Sequence, residues 1–180
     1  MTHSSQFSRG VRVRPCSLHD LRTIAQKIRR ALSLENIAWF PVIRFLELLQ
    51  RTVDGFDFEI VPKGELPKGT FAYFDPITWI VRIGEPYYGM ANKGDGFARW
   101  TILHECLHFF LHRNQLMALA RQDNRPHKIY EDSEWQADTL AREILMPIDL
   151  ITPGMTVEEV AATFGVSKKA AKYRLDKLEK

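Results

Sequence analysis

The run His104-Glu105-Cys106-Leu107-His108 constrains this chain more than any other stretch. Histidines four apart lie on one face of an α-helix, separated by a rise of about 6 Å. There both imidazoles can reach a single zinc ion at about 2.0–2.1 Å. Glu105 is too short to join that pair, but it can act as general base toward a water whose pKa the metal lowers toward about 7. The pattern therefore demands a helix, and it demands that the helix be held still.

The flanking residues meet that demand. Residues 97–113 contain no Pro or Gly, and the spacing predicts one helix. Trp100, Leu103, Leu107 and Phe110 follow one apolar stripe, while Ile102, Cys106 and Phe109 line a second. A helix apolar on nearly every side is a buried one, and burying two histidines and a glutamate in it is costly unless they are paired or metal-bound.

A zinc peptidase site needs a third protein ligand and an open fourth position. Residues 130–146, ended by Pro147, read as a second helix carrying Glu134 and Asp138 at i, i+4, on a face shared with Ala141 and Leu145. Two carboxylates on an inward face call for a cationic partner. Zinc would supply it for Glu134, and the N–H of a ligating imidazole would supply it for Asp138, fixing that ring's tautomer.

Several segments together resemble a known family. Phe71-Ala72-Tyr73-Phe74-Asp75, the stretch Gly94 to Leu103 leading into the zinc helix, and Glu134-x-x-Ala137-Asp138 followed by Ala141 to Pro147 look like the ImmA/IrrE family of small metallo-endopeptidases. The resemblance covers roughly residues 20–178, and residues 94–147 are its specific part. It implies a gluzincin-type site with metal ligands His104, His108 and Glu134 and the catalytic base Glu105. It also implies a substrate class: cytoplasmic repressor-like proteins of phage, mobile elements or stress circuits. Leu107 departs from the family, which usually has a small residue before the second histidine; no ligand is lost.

Bulk properties agree with an intracellular enzyme. A chain of 180 residues can bury one sizeable core plus an appendage. Cys16 and Cys106 are its two cysteines, so no disulfide framework is indicated, and Cys106 faces away from the histidine stripe as a core residue. No apolar run is long enough for a membrane span, and the N-terminus lacks a signal-peptide stretch, so a cytoplasmic protein without a membrane partner is expected. The net charge of +3 is uneven. Residues 1–30 carry seven Lys/Arg against Asp20, which reads as a solvated tail and helix face rather than a nucleic-acid contact.

The expected fold is α+β: a small zincin-like peptidase with a short antiparallel sheet packed on a buried zinc helix, and a C-terminal helix-turn-helix-like hairpin. Residues 1–16 read as a flexible basic arm, 17–150 as the peptidase domain and 155–180 as the C-terminal unit. Ser17-x-x-Asp20 and Thr156-x-x-Glu159 have capping-box form, and Pro41 can start a helix. Strands are expected at 57–61, 70–74 and 78–83, the last two as a hairpin through Asp75-Pro76-Ile77. An edge strand beside the zinc helix could hold an extended peptide. Residues 87–96, with three glycines, read as a flexible loop.

Lys168, Lys169, Lys172 and Arg174 make the last helix basic, yet the net charge from Thr156 onward is only +2. That favours recognition of a protein through Phe164, Val166 and Tyr173 over DNA contact. The leading reading is thus a zinc endopeptidase acting on a protein regulator. The alternative is a non-catalytic regulator that uses the same fold as a scaffold. The oxyanion stabiliser is open among Tyr130, His127 and His112.

Overall fold

The structure, a computed structural model, describes residues 10–115 and 126–178. Helix α1 (Leu18–Ala31) opens at Ser17, whose side chain and that of Asp20 close the expected capping box. Helix α2 (Val42–Thr52) follows Pro41. Strands β1 (Asp57–Val61), β2 (Ala72–Phe74) and β3 (Ile80–Gly84) form one sheet in the order β1-β3-β2. Helices α3 (Glu85–Asn92) and α4 (Gly96–His112) come next, and a 3-10 turn at Ile129–Glu131 leads into α5 (Ser133–Leu145). The chain ends in α6 (Val157–Phe164) and α7 (Lys168–Leu178).

The sheet is mixed rather than antiparallel. The hairpin β2–β3 is antiparallel as expected, but β1 runs parallel to β3. The 62–71 connection stays at one end of the sheet, and the local hairpin then brings β3 into the slot between β1 and β2. The hairpin turn is longer than the sequence suggests. The Asp75 carboxylate accepts from Ile77 N at 2.9 Å, the Asp75 carbonyl accepts from Trp79 N at 2.8 Å, and Trp79 adopts φ 62°.

Residues 85–92 are helical, which corrects the expectation of a loop from Tyr87. Pro86 sits in the first turn, where a missing N–H costs nothing. Gly89 meets only open space, and its cost of about 0.5–1 kcal/mol is offset by burial of Ala91. Residues 10–16 also differ from expectation. Val13 N bonds to Glu131 O at 2.8 Å and Cys16 N to Tyr130 O at 2.9 Å, and Val13 is buried. Residues 1–9 of the expected arm lie outside the described residues.

Helix α5 packs between α1 and α4. Ile102, Leu103, Leu107 and Phe109 of α4 are fully buried, each contributing about 1.5–3 kcal/mol of burial. Cys106 lies among them in the core, and burial pushes its thiol well above the usual range. Among the described residues, no helix is long and apolar enough to cross a membrane.

The C-terminal helices share this core. Val160, Phe164, Val166 and Ala171 are buried in it, so Phe164 and Val166 do not form the recognition surface expected of them; Tyr173 alone of that trio is exposed. Gly165 ends α6 at φ 60°, and any side chain there would collide with Trp39 and Arg99. A side chain at Gly96 would strike the backbone of Val166 and Ser167. The α6–α7 turn therefore seats directly on the start of the histidine helix. Arg99, stacked 3.8 Å from the Trp39 ring centroid, locks the seat by donating to the carbonyls of Phe40, Phe164 and Gly165.

Candidate metal centre

Helix α4 carries His104, Glu105 and His108, and α5 brings Glu134 and Asp138 against them. Asp95 caps α4 by accepting from Ala98 N at 2.8 Å, and Asp132 caps α5 by accepting from Trp135 N at 2.9 Å. Both helices therefore start at defined residues, which sets the phase of their facing sides.

The structure brings all five predicted residues together. Nε2 of His104 and Nε2 of His108 lie 2.9 Å apart. Glu134 reaches both rings, with Oε2 3.1 Å from His104 Nε2 and Oε1 3.3 Å from His108 Nε2. Asp138 Oδ1 is 2.9 Å from His104 Nδ1, on the far side of that ring. Glu105 projects toward the sheet, where its Oε2 accepts from Phe74 N at 2.8 Å.

The electrostatics of the cluster turn on its carboxylates. Burial disfavours a charged His104, but its hydrogen bonds to Asp138 and Glu134 outweigh burial and raise the ring to about 10. Burial pushes the Glu134 carboxyl up, yet the two histidines hold it well below the usual range. Among the described residues, no Lys or Arg forms an ion pair with Glu134 or Asp138. Even two protonated histidines would leave the carboxylates of Glu105, Glu134 and Asp138 under-balanced.

A divalent cation fits better. One donor atom each from His104, His108 and Glu134 lie within 4.8 Å of one another. Two imidazole nitrogens and one carboxylate oxygen form the donor set of a three-ligand zinc site.

The cluster floors a cleft of about 390 Å³ lined by Gly10, Val11, Phe74, Pro76, Glu105, His108, Ser133 and Glu134. One wall is the edge of the sheet and the opposite wall is the docked N-terminal segment. Sequence reading missed that wall because its contacts span about 120 residues: Gly10 N donates to Asp132 Oδ2 and Val11 N to Ser133 Oγ, each at 3.1 Å. A larger hollow of about 710 Å³ opens beside Trp39 and Arg44, but it contains no histidine or metal-ligand set and lies away from the chemistry.

Burial raises the Glu105 carboxyl, against the opposing pull of His104, His108 and the Phe74 amide. A carboxylate raised in this way is better matched to accepting a proton near neutral pH. None of the three oxyanion candidates lines the cleft. His112 is fully buried behind His108, and burial and that neighbouring ring push it down to about 4. His127 is buried beside Asp132, and Tyr130 packs under Lys128.

Comparison with known proteins gives the same direction. Residues 91–176 match the model of the Peptidase_M78 family, described as the IrrE N-terminal-like domain. Among solved structures, a Mycobacterium tuberculosis transcriptional regulator superposes with TM-score 0.58 and 17% identity, covering 87% of this chain and 46% of that one. At that identity the likeness concerns the fold, and this chain spans less than half of that protein. No curated protein matches the sequence. The segment from the end of α3 through α7, which holds every residue of the histidine–carboxylate cluster, is thus the part of the chain that is similar to the IrrE N-terminal-like domain of the Peptidase_M78 family.

Proposed function

We propose that this chain is a zinc-dependent endopeptidase that cleaves a cytoplasmic, repressor-like protein regulator. The observation that carries the reading is the convergence of His104, His108 and Glu134 on one point of an open cleft, with Glu105 beside it. Bound there, zinc would supply the Lewis acidity that eases deprotonation of water and polarises a carbonyl.

The chain's own groups account for the remaining steps. Phe71 O and Asp75 N bond to β3, so Ala72 and Phe74 direct their backbone groups to the outer edge of β2. Glu105 already holds the Phe74 N–H. The N–H and C=O of Ala72 and the C=O of Phe74 are then the groups that pair with an extended substrate. Glu105 takes a proton from the attacking water as its oxygen bonds to the scissile carbonyl carbon. It returns that proton to the amide nitrogen as the C–N bond breaks, and so ends unchanged.

Support for the regulator alternative is thinner. It draws on the fold shared with a transcriptional regulator and on the basic last helix. Three of the four cations cited for DNA contact are engaged inside the chain: Lys168 with Glu158, Lys172 with Asp176, and Arg174, buried, with Glu143.

Co-expression with candidate regulators tests the proposal. Cleavage by the unsubstituted chain and none by Glu105→Gln is expected. Equal cleavage by both would remove Glu105 from its role. Tight, sequence-specific DNA binding without proteolysis would favour the alternative.

A further inference from the structure

Each histidine of the cluster uses one ring nitrogen toward the cleft and leaves the other facing the protein. For His104 that second nitrogen meets the Asp138 carboxylate, which can only accept, so Nδ1 carries the hydrogen. For His108 the second nitrogen meets no carboxylate or carbonyl among the described residues. Its Nδ1 lies 3.1 Å from Nδ1 of His112, and a ring nitrogen can either donate or accept. What settles the matter is two residues further away.

His112 Nε2 lies 3.1 Å from Gln136 Oε1. The orientation of the Gln136 amide is fixed by its other contacts, since Nε2 sits 2.8 Å from both Arg14 O and Tyr130 O. Two backbone carbonyls accept only, so the NH₂ group must face them and the amide oxygen must face His112. The oxygen accepts from His112 Nε2–H. With uncharged His112 its Nδ1 then holds a lone pair and accepts from His108 Nδ1–H. That leaves the lone pair of His108 on Nε2, aimed at the point shared with His104 and Glu134.

We infer that His112 and Gln136 are positioning residues that hold His108 in the Nδ1–H tautomer, so that Nε2 is ready to ligate. This inference rests on the metal reading of the cluster but concerns only the chain's own hydrogen bonds. An unconstrained imidazole favours the opposite tautomer, so the preference has to be imposed. The neutral relay does so without a second carboxylate, which would add negative charge to a cluster that already holds Glu134 and Asp138. It also gives residues 10–16 a task. The relay ends on the carbonyl of Arg14, and the docked N-terminal segment is the far anchor of a metal ligand.

The test is long-range ¹H–¹⁵N NMR of the histidine rings in metal-free protein at neutral pH, together with zinc affinity by chelator competition. The unsubstituted chain should show Nδ1–H on His108 and Nε2–H on His112. His112→Leu, which removes the acceptor, should lower zinc affinity by about 10–100-fold with its far-UV spectrum retained. His112→Asn, whose amide oxygen stands near the place of Nδ1, should recover affinity to within several-fold. Nε2–H on His108 in the unsubstituted chain would overturn the relay, as would equal affinity in His112→Leu. The NMR assignment needs no variant to fold. Absence of zinc binding by the unsubstituted chain would instead sink the peptidase reading, leaving the tautomer result to decide the relay.

Discussion

Helix α5 carries a glutamate near each end, and the two are treated in opposite ways. Glu143 receives two guanidinium groups: Arg174 Nη1 at 2.6 Å and Nη2 at 2.9 Å, and Arg22 Nε at 3.1 Å. Its negative charge is answered inside the chain, and it sits almost fully buried with Arg174. Among the described residues Glu134 receives no Lys or Arg; its partners are two histidine nitrogens at the floor of an open cleft. Buried Arg174 and half-buried Arg22 meet Glu143, whereas among the described residues no arginine forms an ion pair with the carboxylates where the histidines converge. A fold that supplies cations to one site and withholds them from the other leaves the second with an affinity for something external. The same contrast gives α7 a structural task, because its buried Arg174 is engaged by Glu143 rather than by an outside ligand.

The largest effect is expected at Glu143. Glu143→Ala or Arg174→Ala leaves a buried charge without its partner and should cost about 3–5 kcal/mol, read by urea denaturation. Replacing both by leucine should recover most of that loss; a double variant as unstable as either single one would show that the pair does more than neutralise itself. The pH dependence follows from the same site. Burial pushes the Glu143 carboxyl up, but Arg174 and Arg22 outweigh it and hold the group below its ordinary value of 4.5. The folded chain therefore prefers the ionised form. The stabilisation is complete above 4.5 and is lost as pH falls through the lowered folded-state value. Acid titration of the Glu143→Gln variant should lack that loss, and a profile unchanged from the parent would remove Glu143 from the account.

At the other end of α5 a smaller effect is expected. Asp138→Ala should weaken zinc binding by about 10–100-fold while leaving the metal-free melting temperature near that of the parent, because Asp138 is half-exposed and touches the His104 ring alone among the histidines. Chelator competition that finds no difference would return Asp138 to a solvated role. The smallest effect belongs to the exposed pairs of the last helices. Lys168→Ala and Lys172→Ala break ion pairs exposed on both sides, and neither melting temperature nor zinc affinity should move measurably. A clear loss of cleavage in either would reopen the hairpin as a binding surface.

How much of this could be read beforehand depended on the range of the interactions. His104, Glu105, His108, Glu134 and Asp138 lie on two helices whose phase is visible in the apolar stripes, and their grouping needs only that the helices face each other. Both capping boxes are contacts between residues three apart, so they too were legible. The parallel partner of β3 was not, since it depends on where a long connection returns. Nor was the burial of Arg29, which donates to the carbonyls of Ile144, Leu34 and Ile37 although the sequence places it on a solvated basic face. Periodicity says which positions turn inward; it does not say which charge meets which. His112 had a faint signal, one more histidine four residues beyond His108. Gln136 had none, because its importance lies in carbonyls supplied by Arg14 and Tyr130.

His104, His108 and Glu134 are proposed to form a divalent-cation site. The most direct test is zinc titration of metal-free protein followed by elemental analysis of the desalted complex. About one zinc per chain is predicted, with most of it lost in each of His104→Ala, His108→Ala and Glu134→Ala and retained in Glu143→Ala at a temperature where that variant stays folded. No zinc retained by the parent, or equal zinc in all three ligand variants, would contradict the account.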